Sequence, residues 1–100
     1  MVVGVCHLDL ILPQGSSLKE KRQVIRSLMA RIRDKFNVSI AEVGKHDLWQ
    51  RAHVGICLVG NDKRFIESSL DKVIHYIEAT ELVEVIKSEL EFLHYNYDEG

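Results

Sequence analysis

Proline occurs once in this chain, at Pro13, and glycine only six times in 100 residues. So little of either, with 46% hydrophobic residues, is the composition of an ordinary globular protein and argues against a disordered chain. Cysteine occurs twice. Cys6 and Cys57 each sit inside an apolar run with no partner at metal-ligand spacing, so a buried free thiol is expected at both. That number is too small for a disulfide scaffold. No apolar run is long enough to cross a membrane: His7 and Asp9 interrupt Val2 to Leu12, and no basic stretch precedes it as in a signal peptide. The expected location is the cytoplasm. Glycine-rich phosphate loops, internal repeats and low-complexity segments are also missing. The length suits a single domain with its own core.

What is present is a regular alternation of two hydrophobic periods. Val2 to Leu12 repeats every second residue, with Cys6, Leu8, Leu10 and Leu12 on one face and Val3, Val5, His7, Asp9 and Ile11 on the other. Pro13-Gln14-Gly15 ends this strand. Ser17 with Glu20 three residues on is a capping box, and Leu18, Ile25, Leu28, Met29, Ile32 and Phe36 form the stripe of a helix that Asn37 is expected to close. Val38 to Val43 reads as a second strand, and Gly44-Lys45-His46-Asp47 as a turn. Gln50 to Gly60 reads as a third strand, with Trp49 packed over its start or lying at an interface. Asp62 caps a second helix with Ile66, Ser69, Leu70, Val73, Ile74 and Ile77 inward. Val83 to Tyr95 fits strand or helix; the order β-α-β-β-α before it favours a fourth strand with Ile86, Leu90 and Phe92 on one face. The expected fold is an α+β, ferredoxin-like βαββαβ sandwich: a four-stranded antiparallel sheet with two helices on one face. Residues 1–95 form a single domain and 96–100 a frayed polar tail.

With both helices on one face, the other face of the sheet is open. Val3, Val5, His7, Asp9 and Ile11 of the first strand and Arg51, His53, Cys57 and Val59 of the third lie on it. These two central strands put no aromatic residue there, which disfavours base stacking as RNA-reading sheets perform it. The apolar Val3, Val5, Ile11 and Val59 suit self-association better.

The formal net charge is −2, but it is unevenly distributed. Between Ser17 and Phe36 stand seven basic residues and two acidic ones, which leaves the remainder strongly acidic. Lys19, Arg22, Arg26 and Arg33 fall along one flank of the first helix, Arg31 and Lys35 on the other, with Lys21 near its edge. The loop Gly15-Ser16-Ser17 feeds a helix N-terminus that favours anions, although Glu20 competes there. This flank, with Lys21, is a candidate phosphate-contacting surface for RNA. The same residues describe a solvated amphipathic helix whose long side chains cover the core's edge, and on the residues alone that plainer reading is slightly favoured.

No catalytic or metal-binding constellation stands out. His7 and His53 are neighbours across strands, with Asp9 and Arg51 nearby, but no nucleophile other than Cys57 is placed with them; a polar cross-strand pair or interface contact describes them better. His46, His75 and His94 are too dispersed for metal ligands. No cofactor is implied.

Ser17-Leu18-Lys19-Glu20-Lys21-Arg22, following the Pro13 turn, resembles the signature of the YlxP-like bacterial proteins, a family of unknown function. Phe36-Asn37-Val38-Ser39-Ile40-Ala41-Glu42-Val43, Trp49-Gln50-Arg51-Ala52 and Asn61-Asp62 resemble its other recognisable stretches, so the likeness runs from Leu8 to about Glu78. It implies a ferredoxin-like fold, no established activity and no catalytic residues to carry over. Genes of the family often lie beside those for translation initiation and ribosome maturation factors, which implies an RNA or ribosomal association.

Three readings follow, in order: a small binding protein that contacts RNA or a ribosomal component through the first helix; a homo-oligomeric structural or adaptor protein joined through the open sheet face; and a small-ligand sensor or enzyme built on His7, Asp9, Arg51 and His53.

Overall fold

The computed structural model describes residues 1–13 and 17–96. Six elements follow in the order β1 (Val2–Ile11), α1 (Leu18–Lys35), β2 (Ser39–Gly44), β3 (Arg51–Gly60), α2 (Lys63–Ala79) and β4 (Glu84–His94). The strands make one antiparallel sheet in the order β2-β3-β1-β4, the βαββαβ arrangement of ferredoxin-like α+β domains. The strand reading of the last segment holds.

The core lies between the helices and one face of the sheet. Cys6, Leu8 and Leu10 of β1 with Ala52, Val54 and Ile56 of β3 meet Ile25, Leu28 and Ile32 of α1 and Ile66, Leu70, Val73 and Ile77 of α2. Each fully buried leucine or isoleucine contributes roughly 1.5–3 kcal/mol. β1 and α2 come so close that Gly4 has no room for a Cβ: the Ile66 side chain fills that space.

Both helix starts are capped as expected. The Ser17 side chain accepts from the Glu20 N–H at 3.2 Å, and Asp62 accepts from the Arg64 N–H at 2.9 Å. The end of α1 differs from expectation. Asn37 does not take a left-handed conformation; the helix stops because Phe36 turns extended, at φ −126° and ψ 144°. The Phe36 N–H still donates to Ile32 O at 2.8 Å, and its ring meets Tyr76 edge-on at 5.7 Å. An aromatic contact to α2 thus sets the exit direction. The turn after β2 is where expected, with Lys45 in the left-handed region at φ 59°.

β4 departs from a plain strand. Leu10 pairs with Val85 and Asp9 with Lys87, so Ile86 is the extra residue of a bulge. Val85 turns toward the core while Ile86 is exposed, and Leu90 is exposed as well. Of Ile86, Leu90 and Phe92, expected on one face, only Phe92 is half-buried. Trp49, expected over the start of β3 or at an interface, is 40% exposed. Of the two cysteines, only Cys6 is buried; Cys57 lies half-covered on the open face. The segment Gln14-Gly15-Ser16 and residues 97–100 of the expected tail lie outside the described residues, and Asn96 is exposed.

Candidate functional surfaces

Lys21 does not belong to the basic flank. At about 100° per residue it falls only about 20° from Leu28 and from Ile32, in the middle of the apolar stripe. It is 1% exposed. Its Nζ donates to Lys45 O at 2.7 Å and lies 2.9 Å from Glu42 Oε2. The carboxylate contact is an ion pair without the alignment of a hydrogen bond, since that oxygen has no hydrogen-bond partner of its own. Glu42 faces the helices because it pairs with Val54, a core residue of β3. Lys21 therefore ties the first turn of α1 to the end of β2.

The other members of the flank are where the helix period puts them. Lys19, Arg22, Arg26 and Arg33 are exposed, as are Arg31 and Lys35 farther around. Arg33 is steadied by a 3.0 Å bond from its guanidinium to Ile40 O. The ion pairs among the described residues are Lys21–Glu42, Lys45–Asp9 and Lys87–Glu89, and none holds an exposed cation of α1. Six exposed cations against the exposed carboxylates of Glu20 and Asp34 leave the outer side of this helix strongly positive.

On the opposite side of the molecule the open face is ordered in rows by strand register. Val59, Val3 and Leu93 make one row; Cys57, Val5 and Glu91 the next; then Gly55, His7 and Glu89; then His53, Asp9 and Lys87; and last Arg51, Ile11 and Glu84. The first row is apolar, with Val59 62% exposed. The middle rows are polar. His7 Nδ1 and His53 Nε2 lie 3.3 Å apart with the rings edge-on, so one nitrogen donates to the other. Lys45 reaches across from the β2–β3 turn to donate to Asp9 Oδ1 at 2.9 Å, and this bond holds the Asp9 carboxyl below its ordinary pKa. Lys87 and Glu89 pair at 2.8 Å; their hydrogen bond raises the lysine and lowers the glutamate. His7, Asp9, His53, Lys87 and Glu89 line a shallow depression of about 220 Å³. Arg51 borders these rows, with a buried Nε that has no hydrogen-bond partner among the described residues.

The open face thus brings His7, Asp9 and His53 together as the sequence suggests, and adds Lys45, Lys87 and Glu89, which the sequence reading left out. The signal for Lys87 and Glu89 was their alternation in β4; Lys45 needed knowledge of the turn. The chemistry is that of internally neutralised charges and one imidazole pair. Cys57 sits opposite Val5, in the row next to His7, and among the described residues no hydrogen bond joins its thiol to either histidine. Among the described residues no group of three or more histidine, cysteine or acidic side chains is placed to hold a metal ion, and no helix is long and apolar enough to cross a membrane.

Among solved structures the chain is similar to a mutant of SnoaB, a cofactor-independent oxygenase from Streptomyces nogalater. The identity is 12% and the TM-score 0.40 over 96% of each chain. Among curated proteins it is 37% identical over 78 residues to the uncharacterized protein YlxP of Bacillus subtilis (strain 168), which covers 78% of this chain and 85% of that one. The profile described as "Protein of unknown function (DUF503)" matches residues 3–90. With 88% of its length matched and a relative above one-third identity, this chain belongs to the DUF503 family.

Proposed function

We propose that this protein is a non-enzymatic cytoplasmic binding module that docks on the phosphate backbone of a structured RNA, such as ribosomal RNA, through one flank of α1. The observation that carries the reading is the exposed line of Lys19, Arg22, Arg26 and Arg33, none of them in an ion pair among the described residues. The fourteen helical rises from Lys19 to Arg33 spread these cations over about 21 Å, the scale of several phosphates along a backbone. Cations that are already solvated and unpaired lose little when a phosphate replaces water, and they gain from released counterions. The overall charge of −2 does not oppose this, because all the acidic residues but Glu20 and Asp34 lie outside α1. Contacts of these cations to phosphates position the protein and do not by themselves specify sequence.

The test is filter binding of the purified protein to ribosomal RNA across a salt series. Four phosphate contacts predict a slope of about −3 in log affinity against log salt. The variant Arg22→Glu/Arg26→Glu is expected to abolish retention and to keep the wild-type unfolding midpoint. Retention that is absent at low salt, or indifferent to that variant, refutes the reading.

A second reading, compatible with the first, is a homo-oligomer joined through the open sheet face. It is favoured by the row Val59, Val3 and Leu93, which places three apolar side chains abreast at one end of that face. Sedimentation at micromolar concentration checks it: Val59→Glu is expected to shift an oligomer to monomer, and a wild-type monomer removes the reading.

A further inference from the structure

β2 is shorter than the strand beside it. Its pairing with β3 begins at Ser39 opposite Cys57, whereas β3 continues to Gly60. On the side away from β1, Leu58, Val59 and Gly60 have no strand neighbour, and no backbone group of the described residues hydrogen-bonds to that edge. An edge left open in this way is a template for an added strand.

A groove of about 320 Å³ runs beside this edge, between α2 and the exit of α1. α2 turns one face to it through Phe65, Ser69, Lys72 and Val73, the spacing of a single helical side. Phe36 and Val38 close the opposite wall. Phe65 is 63% exposed at the rim, a large apolar side chain with nothing over it. Lys35 and Lys72 also line the groove, no carboxylate does, and neither lysine is in an ion pair among the described residues.

We infer that the open edge of β3 beyond Cys57 and the groove beside it form a docking site for an extended acidic peptide segment of a partner protein, one that alternates carboxylates with large apolar side chains. The strand edge supplies backbone hydrogen bonds. Phe36, Val38 and Phe65 receive the apolar side chains, and Lys35 and Lys72 receive the carboxylates. A groove between a helix and a strand edge is the arrangement that strand addition uses, with alternate side chains entering pockets. The open backbone edge selects a peptide over a small amphipathic anion, because only a peptide can complete that edge. The mostly apolar lining separates this site from the cationic flank of α1 on the other side of the helix.

The probe is a fluorescein-labelled hexapeptide of alternating glutamate and phenylalanine, followed by fluorescence polarisation. A dissociation constant in the tens of micromolar is expected, an affinity of about −6 kcal/mol. Lys35→Glu/Lys72→Glu is expected to weaken it about tenfold or more, as reversal of two exposed charge contacts does. Both positions are exposed, so the variant is expected to unfold at the wild-type urea concentration. The same peptide N-methylated at alternate residues, which cannot pair as a strand, is expected to lose binding by a similar factor, whereas Arg22→Glu/Arg26→Glu leaves it unchanged. An N-methylated probe that binds equally well overturns the proposal in favour of an amphipathic-anion pocket. Binding to phosphatidylglycerol vesicles without binding to the peptide overturns it in favour of a lipid surface. No saturation below 1 mM peptide, or indifference to the lysine reversals, also overturns it.

Discussion

The ammonium of Lys21 and the carboxylate of Glu42 meet 2.9 Å apart on the core side of the sheet, the lysine 1% exposed and the glutamate 15%. Breaking such a pair leaves one charge poorly solvated, whereas replacing both members with apolar residues removes the desolvation cost altogether. Lys21→Met is therefore expected to destabilise the fold by about 2–4 kcal/mol, and Lys21→Met/Glu42→Leu to recover most of that loss. Urea unfolding of the wild type, both single variants and the double variant measures it. A single-variant loss below about 0.5 kcal/mol, the scale of a surface pair, shows the contact to be structurally idle.

Contact between β1 and α2 depends on a missing side chain. A Cβ at Gly4 falls on Ile66, so Gly4→Ala is expected to cost about 1–3 kcal/mol through overpacking. In the background Ile66→Ala the same substitution costs less, because the obstructing group is gone. Thermal unfolding of the four proteins measures the coupling, and strictly additive losses contradict the close approach.

On the open face, the bond from Lys45 holds Asp9 below its ordinary pKa. A lowered carboxyl stabilises the native state above its unfolded value, about 3.9, and loses that contribution as pH falls through the native value. The stability difference between wild type and Asp9→Asn is thus expected to be constant near neutrality and to shrink below about pH 4. Lys45→Met is expected to reduce the pH dependence of that difference, because the Lys45 bond is the largest cause of the lowering. A difference that grows on acidification contradicts the assignment.

The two thiols are expected to separate by reactivity. Burial pushes the Cys6 thiol up to about 11, with the charge of Asp71 adding to it, and the thiolate is the reactive form. Cys57 is half-covered on the open face. Ellman's reagent at pH 8 is expected to label Cys57 alone in the native protein and both thiols in urea. Two fast equivalents in the native protein contradict the burial of Cys6; slow labelling of Cys57 that speeds up on dilution supports a sheet-face oligomer.

Much of the architecture is legible without coordinates. Ser17 and Asp62 announce both helices, since a cap needs only its own residue and the next turn. β3 reads clearly, as Ala52, Val54 and Ile56 alternate with Arg51, His53 and Gly55. The candidate sites are less legible. The flank Lys19, Arg22, Arg26 and Arg33 follows from helix geometry alone, and the same geometry, applied strictly, places Lys21 under the helix. Ile86 is different: its apolar side chain suits the core, and only the pairing of Asp9 with Lys87 and Leu10 with Val85 turns it out.

Taken by itself, the sequence determined which residues share a face. Periods of two and 3.6 are properties of a strand or a helix alone, so β1, β3, α1 and α2 each declare an apolar side and a polar one. Tertiary structure decided which faces meet and in what register. The pairing of Lys21 with Glu42, the reach of Lys45 to Asp9, the contact of His7 with His53 and the open edge beyond Cys57 each join residues far apart in the chain. Such contacts depend on strand register and on where a neighbouring strand stops. A one-residue shift reverses every side chain of a strand, and local pattern carries no information about the partner's length.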